Sequence, residues 1–211
     1  WLTGNNALAP QRVPVFYSNT ERTQVDRRLL ELGITLSSAF VAVHPFAKFQ
    51  YREWDISRYL DLGGLIEKRL SIPVVFLSEV DDRRISDKHR LLSKLSIKAL
   101  AYLLERTTLL IGNNSGPMHL AAAMGTPTVV IQGPSAPQWD VYWKDTSHVK
   151  MCSNFPPCIP CERIGHVPGR CLNEEYPRGC LQEISVDAVF DCVTAVLMNL
   201  PAGAKVNLDG K

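Results

Sequence analysis

Apolar residues in this chain follow two rhythms: short unbroken runs, and longer stripes spaced three or four residues apart. From Thr20 to Leu32, the residues Val25, Leu29, Leu30 and Leu32 form a helical stripe that Gly33 stops. Ala39 to Val43 is a short apolar, β-branched run ending in His44-Pro45, which predicts a buried strand. Trp54 to Leu70 returns to helical spacing through Ile56, Leu60, Leu65 and Ile66, and Pro73 to Leu77 is a second buried strand. Ser96 opens a helix with Leu100, Leu103 and Leu104 facing inward, and Thr107 to Ile111 is a third strand. Ser115 to Met124 is a short helix closed by Gly125, and Thr128 to Ile131 is a fourth strand ended by Gly133-Pro134. A last helix starts at Ser185 with Val186, Val189, Phe190, Val193, Val196 and Leu197 on one stripe.

This alternation predicts the α/β class. Strands without a polar face must be covered on both sides, so the expected fold is a Rossmann-like parallel sheet with helices on both faces. Ligands of such sheets bind at the carboxyl ends of strands, which points to the loops after Val43, Leu77, Ile111 and Ile131. Residues 1–38 are expected to be a linker, or the tail of a preceding element, plus the first helix. Residues 39–200 form the domain, with a cysteine-rich insert at 152–180, and residues 201–211 are expected to be a disordered tail.

Bulk properties narrow the classes. With 211 residues, 45% hydrophobic and 21% charged, the chain suits one good-sized soluble domain. A net charge of +2 provides no basic field of the kind that tracks nucleic acid. No apolar run approaches the roughly 18 residues that a membrane-spanning helix needs. The chain opens at Trp1 with neither Met nor a leader, so a fragment of a longer protein is expected. Of the six cysteines, Cys152, Cys158, Cys161, Cys171 and Cys180 crowd into one stretch. One local cluster on an ordinary α/β domain suggests a cytoplasmic protein with a metal site or free thiols rather than a secreted disulfide scaffold.

The segment with most chemistry is Gly112-Asn113-Asn114-Ser115-Gly116, placed between the third strand and the helix that follows it. Asn114 or Ser115 is a suitable N-cap, and Gly116 keeps bulk away from the helix mouth. Amide groups of the first turn and the positive end of the helix dipole then make an anion site. Met118 lies in the same stretch, and His119, also in the first turn, can donate to a phosphate oxygen. Lys48 is a further candidate phosphate ligand and Glu79 could hydrogen-bond ribose hydroxyls, the first competing with a solvated loop role and the second with that of a plain surface carboxylate. No G-x-G-x-x-G follows the first strand, which ranks a dinucleotide oxidoreductase low. No Asp-x-Asp metal motif appears either.

The stretch GNNSGPMHLAAAMGTPTVVIQGPSAPQWDVYW resembles the signature of the family-nine glycosyltransferases, typified by ADP-heptose:lipopolysaccharide heptosyltransferases. VAVHPFAKFQYREW, from Val41 to Trp54, resembles that family's strand followed by a basic-x-Trp motif, and CLQEIS resembles its ending before the last helix. The resemblance implies the carboxyl-terminal, donor-binding half of a GT-B enzyme, whose missing amino-terminal domain would hold the acceptor and the catalytic base. It implies transfer of a heptose or related sugar from a nucleotide-diphosphate donor to a lipopolysaccharide-core or protein acceptor, with no cofactor required. It also implies a cytoplasmic location, at most peripheral at the inner face of the inner membrane. Matched by position, Arg52, Asn114, Ser115, Gly116 and His119 are the expected donor-binding residues; Met118 in the same block, and Lys48 and Glu79 from the residues alone, are further candidates. No catalytic residue is expected in this stretch, and the chain alone is expected to bind donor without transferring sugar. Two departures stand out: the family commonly has Asp where Asn114 stands and often Lys where Arg52 stands. Arg retains phosphate binding, whereas Asn loses a charge.

Cys158-Ile-Pro-Cys161 is a C-x₂-C knuckle followed by Cys171 and Cys180. Four thiolates could hold one structural zinc or iron ion, and members of the family that glycosylate proteins carry a Cys₄ iron finger at this place. Free packed thiols and disulfides remain open alternatives, and Cys192 on the last helix is expected to pack in the core. The competing function is a non-catalytic Rossmann-like module whose cysteine finger docks a partner.

Overall fold

The computed structural model describes residues 15–135, 148–152, 157–163 and 165–200. The expected disordered tail, the start of the expected linker and residues 136–143 of the signature stretch lie outside the described residues. In chain order the elements are α1 (Asn19–Glu31), β1 (Val41–His44), α2 (Ile56–Leu70), β2 (Val74–Ser78), α3 (Arg83–Ser86), β3 (Arg90–Ser93) and α4 (Ile97–Arg106). They continue as β4 (Leu109–Asn113), α5 (Gly116–Met124), β5 (Thr128–Ile131), β6 (His148–Met151), α6 (Gly179–Gln182) and α7 (Val186–Met198). A single 3₁₀ turn, Gln50–Arg52, interrupts the loop between β1 and α2.

All strand pairs are parallel, in the order β3-β2-β1-β4-β5-β6. The chain works outward from β1 to β3, then returns beside β1 and works outward the other way. A topological switch point therefore falls between β1 and β4, where doubly wound sheets bind ligands. The sheet is the expected α/β, Rossmann-like one, with two strands more than periodicity revealed. Both extra strands, β3 and β6, lie at edges with one neighbour each. An edge strand needs no continuous apolar run, so Arg90-Leu91-Leu92-Ser93 and His148-Val149-Lys150-Met151 carry polar residues that hide them.

Alternation along the strands feeds two cores. Val41, Val43, Val74, Phe76, Leu109 and Ile111 point to the face covered by α2 and α7, where they meet Tyr59, Leu62, Ile66, Val189 and Val193. Ala42, Val75, Leu77 and Leu110 point to the opposite face and meet Val25, Leu29, Leu103 and Ala121 of α1, α4 and α5. Caps bound these helices as the residues suggest: Ser18 and Glu21 form a capping box on α1, and Ser96 and Ser185 cap α4 and α7. Gly33 and Gly125 sit at φ 76° and 82°, ending α1 and α5 in a left-handed conformation that a Cβ would oppose. Among the described residues no helix is long and apolar enough to cross a membrane.

Candidate functional site

Asn113, the last residue of β4, organises the switch point. It is fully buried, and its Oδ1 accepts hydrogen bonds from the Trp54 amide at 3.0 Å and the Tyr59 hydroxyl at 2.9 Å. Its Nδ2 donates to the Pro45 carbonyl at 2.7 Å. One side chain thus ties the loop after β1 and the start of α2 to the end of β4. Gly112 brings the strands close: a Cβ there would lie 2.8 Å from the His44 carbonyl oxygen. Trp54, the motif tryptophan, is buried edge-on to Tyr59, and its Nε1 donates to the Ile184 carbonyl at 2.9 Å. Arg58 donates to the carbonyls of Gln182 and Ile184, so the approach to α7 is clamped to α2.

At the mouth of α5, Ser115 is the N-cap residue, yet its side chain makes no capping hydrogen bond. Pro117 has no N–H, and the Met118 amide bonds to the Ser115 carbonyl at 3.1 Å. A Cβ on Gly116 would meet nothing within 4 Å, so the space before this helix is open. Beside it, Asn114 Nδ2 and Ser115 Oγ are buried and have no hydrogen-bond partner among the described residues. Two unsatisfied groups capable of donating, at the positive end of a helix, make a site that an oxyanion would satisfy.

Two cavities meet in front of this helix, both lined by His44, Ser78, Glu79, Gly116 and Pro117. The first, about 310 Å³, runs between α4 and α5 with Leu77, Leu92, Leu95, Ile97, Leu100 and Leu120 as apolar walls. The second, about 680 Å³, continues toward Phe46, Lys48, Glu53, Asp82 and Arg84. An apolar chamber joined to a polar one of mixed charge, where Lys48 and Arg84 stand among Glu53, Glu79 and Asp82, suits a ligand with a flat apolar end and a polar end. Glu79 stands at the junction, and burial pushes the His44 imidazole in the shared wall down from 6.5 to about 4.

Of the residues expected from sequence, Ser115, Gly116, Lys48 and Glu79 line the crevice. Asn114 is buried just behind the mouth, and His119 is exposed in the first turn of α5. Met118 is buried, 3% exposed, and lines neither cavity. Arg52 lines neither cavity: its Nε lies 2.6 Å from Glu162 Oε1, and its guanidinium carbon 5.3 Å from the Phe49 ring centre. Asn113, His44 and Glu162 were missed as separate site residues. Asn113 and His44 sit at the ends of predicted strands, which is the signal that could have found them. Glu162 sits among irregular sequence with no such signal.

The cysteine segment flanks Glu162 on both sides in sequence. All six cysteines are free thiols. Arg178 N–H donates to Cys171 Sγ at 3.3 Å, and Asn173 Nδ2 lies 3.9 Å from Cys158 Sγ. Burial first, and neighbouring thiols second, push Cys161 up to about 11 and Cys180 up to about 12. Among the described residues no three Cys, His, Asp or Glu residues form a group that could hold a metal ion. Cys192 packs against the core, as its helical stripe predicts.

The profile of glycosyltransferase family 9 (heptosyltransferase) matches residues 9–167. A search of curated proteins finds no match. Among solved structures, a family 9 glycosyl transferase from Veillonella parvula is 20% identical, with a TM-score of 0.69 over 88% of this chain and 54% of that one. ADP-heptose lps heptosyltransferase II of E. coli is 18% identical, with a TM-score of 0.61 over 87% and 53%. The iron-containing dodecameric glycosyltransferase TibC of enterotoxigenic E. coli is 18% identical, with a TM-score of 0.63 over 78% and 46%. At these identities the likeness is one of fold, and the chain spans about half the length of the solved structures it matches.

Proposed function

Because the chain belongs to glycosyltransferase family 9, we propose that it is the donor-binding half of a sugar-transferring enzyme and takes a nucleoside-diphosphate sugar in the crevice at the β1–β4 switch point. The observation that carries this is the join between the apolar chamber and the mouth of α5, where Asn114 Nδ2 and Ser115 Oγ have no partner among the described residues. The base fits between the leucines of α4 and α5, Glu79 meets the ribose hydroxyls, and the diphosphate faces Gly116, Lys48 and His119. Arg52, which sits on Glu162 and lines neither cavity, is the proposed further phosphate ligand from the loop before α2. Departure of a nucleoside diphosphate leaves negative charge on its phosphate oxygens, and prearranged donors and cations stabilise that charge without a metal. ADP-heptose is the proposed donor. TibC, with which this chain shares its fold, has been solved with ADP-D-β-D-heptose. A lipopolysaccharide core or a protein is the proposed acceptor, and the catalytic base is proposed to come from an amino-terminal domain.

Calorimetric titration with ADP tests the site. Gly116→Ala places a methyl group in the open space before the helix, so it should weaken ADP binding about tenfold, ~1.4 kcal/mol. It should shift unfolding by no more than about 0.5 kcal/mol, the usual range for surface changes. His119→Ala should weaken ADP in the same direction. Wild-type protein that ignores ADP would sink the proposal and favour a docking module.

Cys158, Cys161, Cys171 and Cys180 are the proposed holders of one structural zinc or iron ion, by analogy with the iron-containing TibC. Their C-x₂-C spacing in sequence and the amide bond to Cys171 Sγ suit thiolate ligands, and the ion would supply a crosslink for an irregular segment. Elemental analysis of purified protein should find close to one such ion per chain; a value near zero rejects the site.

A further inference from the structure

Glu162 directly follows the C-x₂-C knuckle and is completely buried. Its amide donates to the Pro134 carbonyl at 3.1 Å, which fixes the knuckle against the loop after β5. Its Oε1 accepts from the Tyr51 hydroxyl and from Arg52 Nε at 2.6 Å, and its Oε2 is buried with no partner among the described residues. Tyr51 is pushed up to about 12, by burial first and by this carboxylate second, so it stays a donor at neutral pH.

We propose that Glu162 is the positioning residue for Arg52, delivered by the cysteine segment to hold the guanidinium in place for the donor's diphosphate. The proposal rests on the reading of Arg52 as a phosphate ligand. A buried carboxylate with one oxygen already unsatisfied cannot release its cation without great cost, so Arg52 stays on Glu162 when ligand binds. Holding Nε fixes the plane of the guanidinium, and a planar guanidinium reads phosphate geometry. Phe49 supports the guanidinium by a cation–π contact. Phosphate affinity therefore depends on a residue that touches no ligand, and the cysteine segment acquires a role at the site through it.

The test compares ADP with adenosine, which lacks phosphate, by calorimetric titration of the 211-residue chain. Glu162→Gln should weaken ADP about tenfold and leave adenosine within about twofold, since only the phosphate side is disturbed. Arg52→Ala should do the same, and the double variant should lose little more than either single change, the mark of coupled residues. Should Glu162→Gln fail to fold, Tyr51→Phe decides, because it loosens the carboxylate without altering charge. It should weaken ADP about threefold and spare adenosine. ADP affinity unchanged or raised in the folded variants overturns the positioning role, as do fully additive losses or an equal loss of adenosine. Wild-type protein that binds adenosine while Arg52→Ala leaves ADP unaffected would instead overturn the reading of Arg52. Absence of binding to either probe would overturn the nucleotide site itself.

Discussion

Asn113 shows how much one buried amide can organise. Its oxygen satisfies two donors and its nitrogen one acceptor, all within the wall between the two halves of the sheet. Asn113→Ala strands the Tyr59 hydroxyl, the Trp54 amide and the Pro45 carbonyl together, and should cost about 2–4 kcal/mol of stability in urea denaturation. His44 is the second residue whose surroundings decide its behaviour. Burial holds its folded pKa near 4 against an ordinary 6.5. As pH falls through 6.5 the unfolded chain takes up a proton that the folded chain refuses until about 4. Stability is therefore full above 6.5 and declines between 6.5 and 4. His44→Asn should flatten that decline by roughly 2–3 kcal/mol, read from denaturation curves at neutral pH and about pH 4.5. Burial lowers His89 in the same direction, so a residual slope will persist.

At the scale of elements, the site depends on how closely β1 and β4 approach and on what stands before α5. Gly112→Ala would drive a methyl group to 2.8 Å from a backbone carbonyl that has no rotamer to escape by. It should cost about 1–3 kcal/mol in thermal or chemical unfolding and weaken ADP as well. Gly116 is the contrast, with open space where a Cβ would go, so its substitution separates affinity from stability. Gly133 resembles Gly112, since a Cβ there would come within 2.8 Å of Leu181 Cγ and 3.0 Å of Cys180 Sγ. That packing holds the end of the cysteine segment against the loop after β5. The central strands were legible because burial on both faces demands an unbroken apolar run. The edge strands β3 and β6 were not, because one free edge lets polar residues in.

For the whole molecule, the two cores make the sheet a rigid floor and leave the carboxyl ends of its strands open at the switch point. A floor of this kind can hold a donor, and catalysis needs a second wall with a base. The isolated chain should therefore bind ADP yet show no transfer of sugar from ADP-heptose to an acceptor in a radiolabel assay; measurable turnover would refute that division of labour. Sequence alone was enough for the four central strands, the five longer helices and the loop before α5, because hydrophobic period, caps and glycines are local properties. It also singled out Ser115, Gly116, Lys48 and Glu79 as candidates, and the fold brings these four to the crevice. Tertiary structure decided what local pattern cannot: that Met118 turns inward, that Asn113 braces three segments, and that Arg52 is held by a glutamate far along the chain. Those facts depend on which distant segments meet, and a buried ion pair between Arg52 and Glu162 exists only once the fold has brought its two halves together.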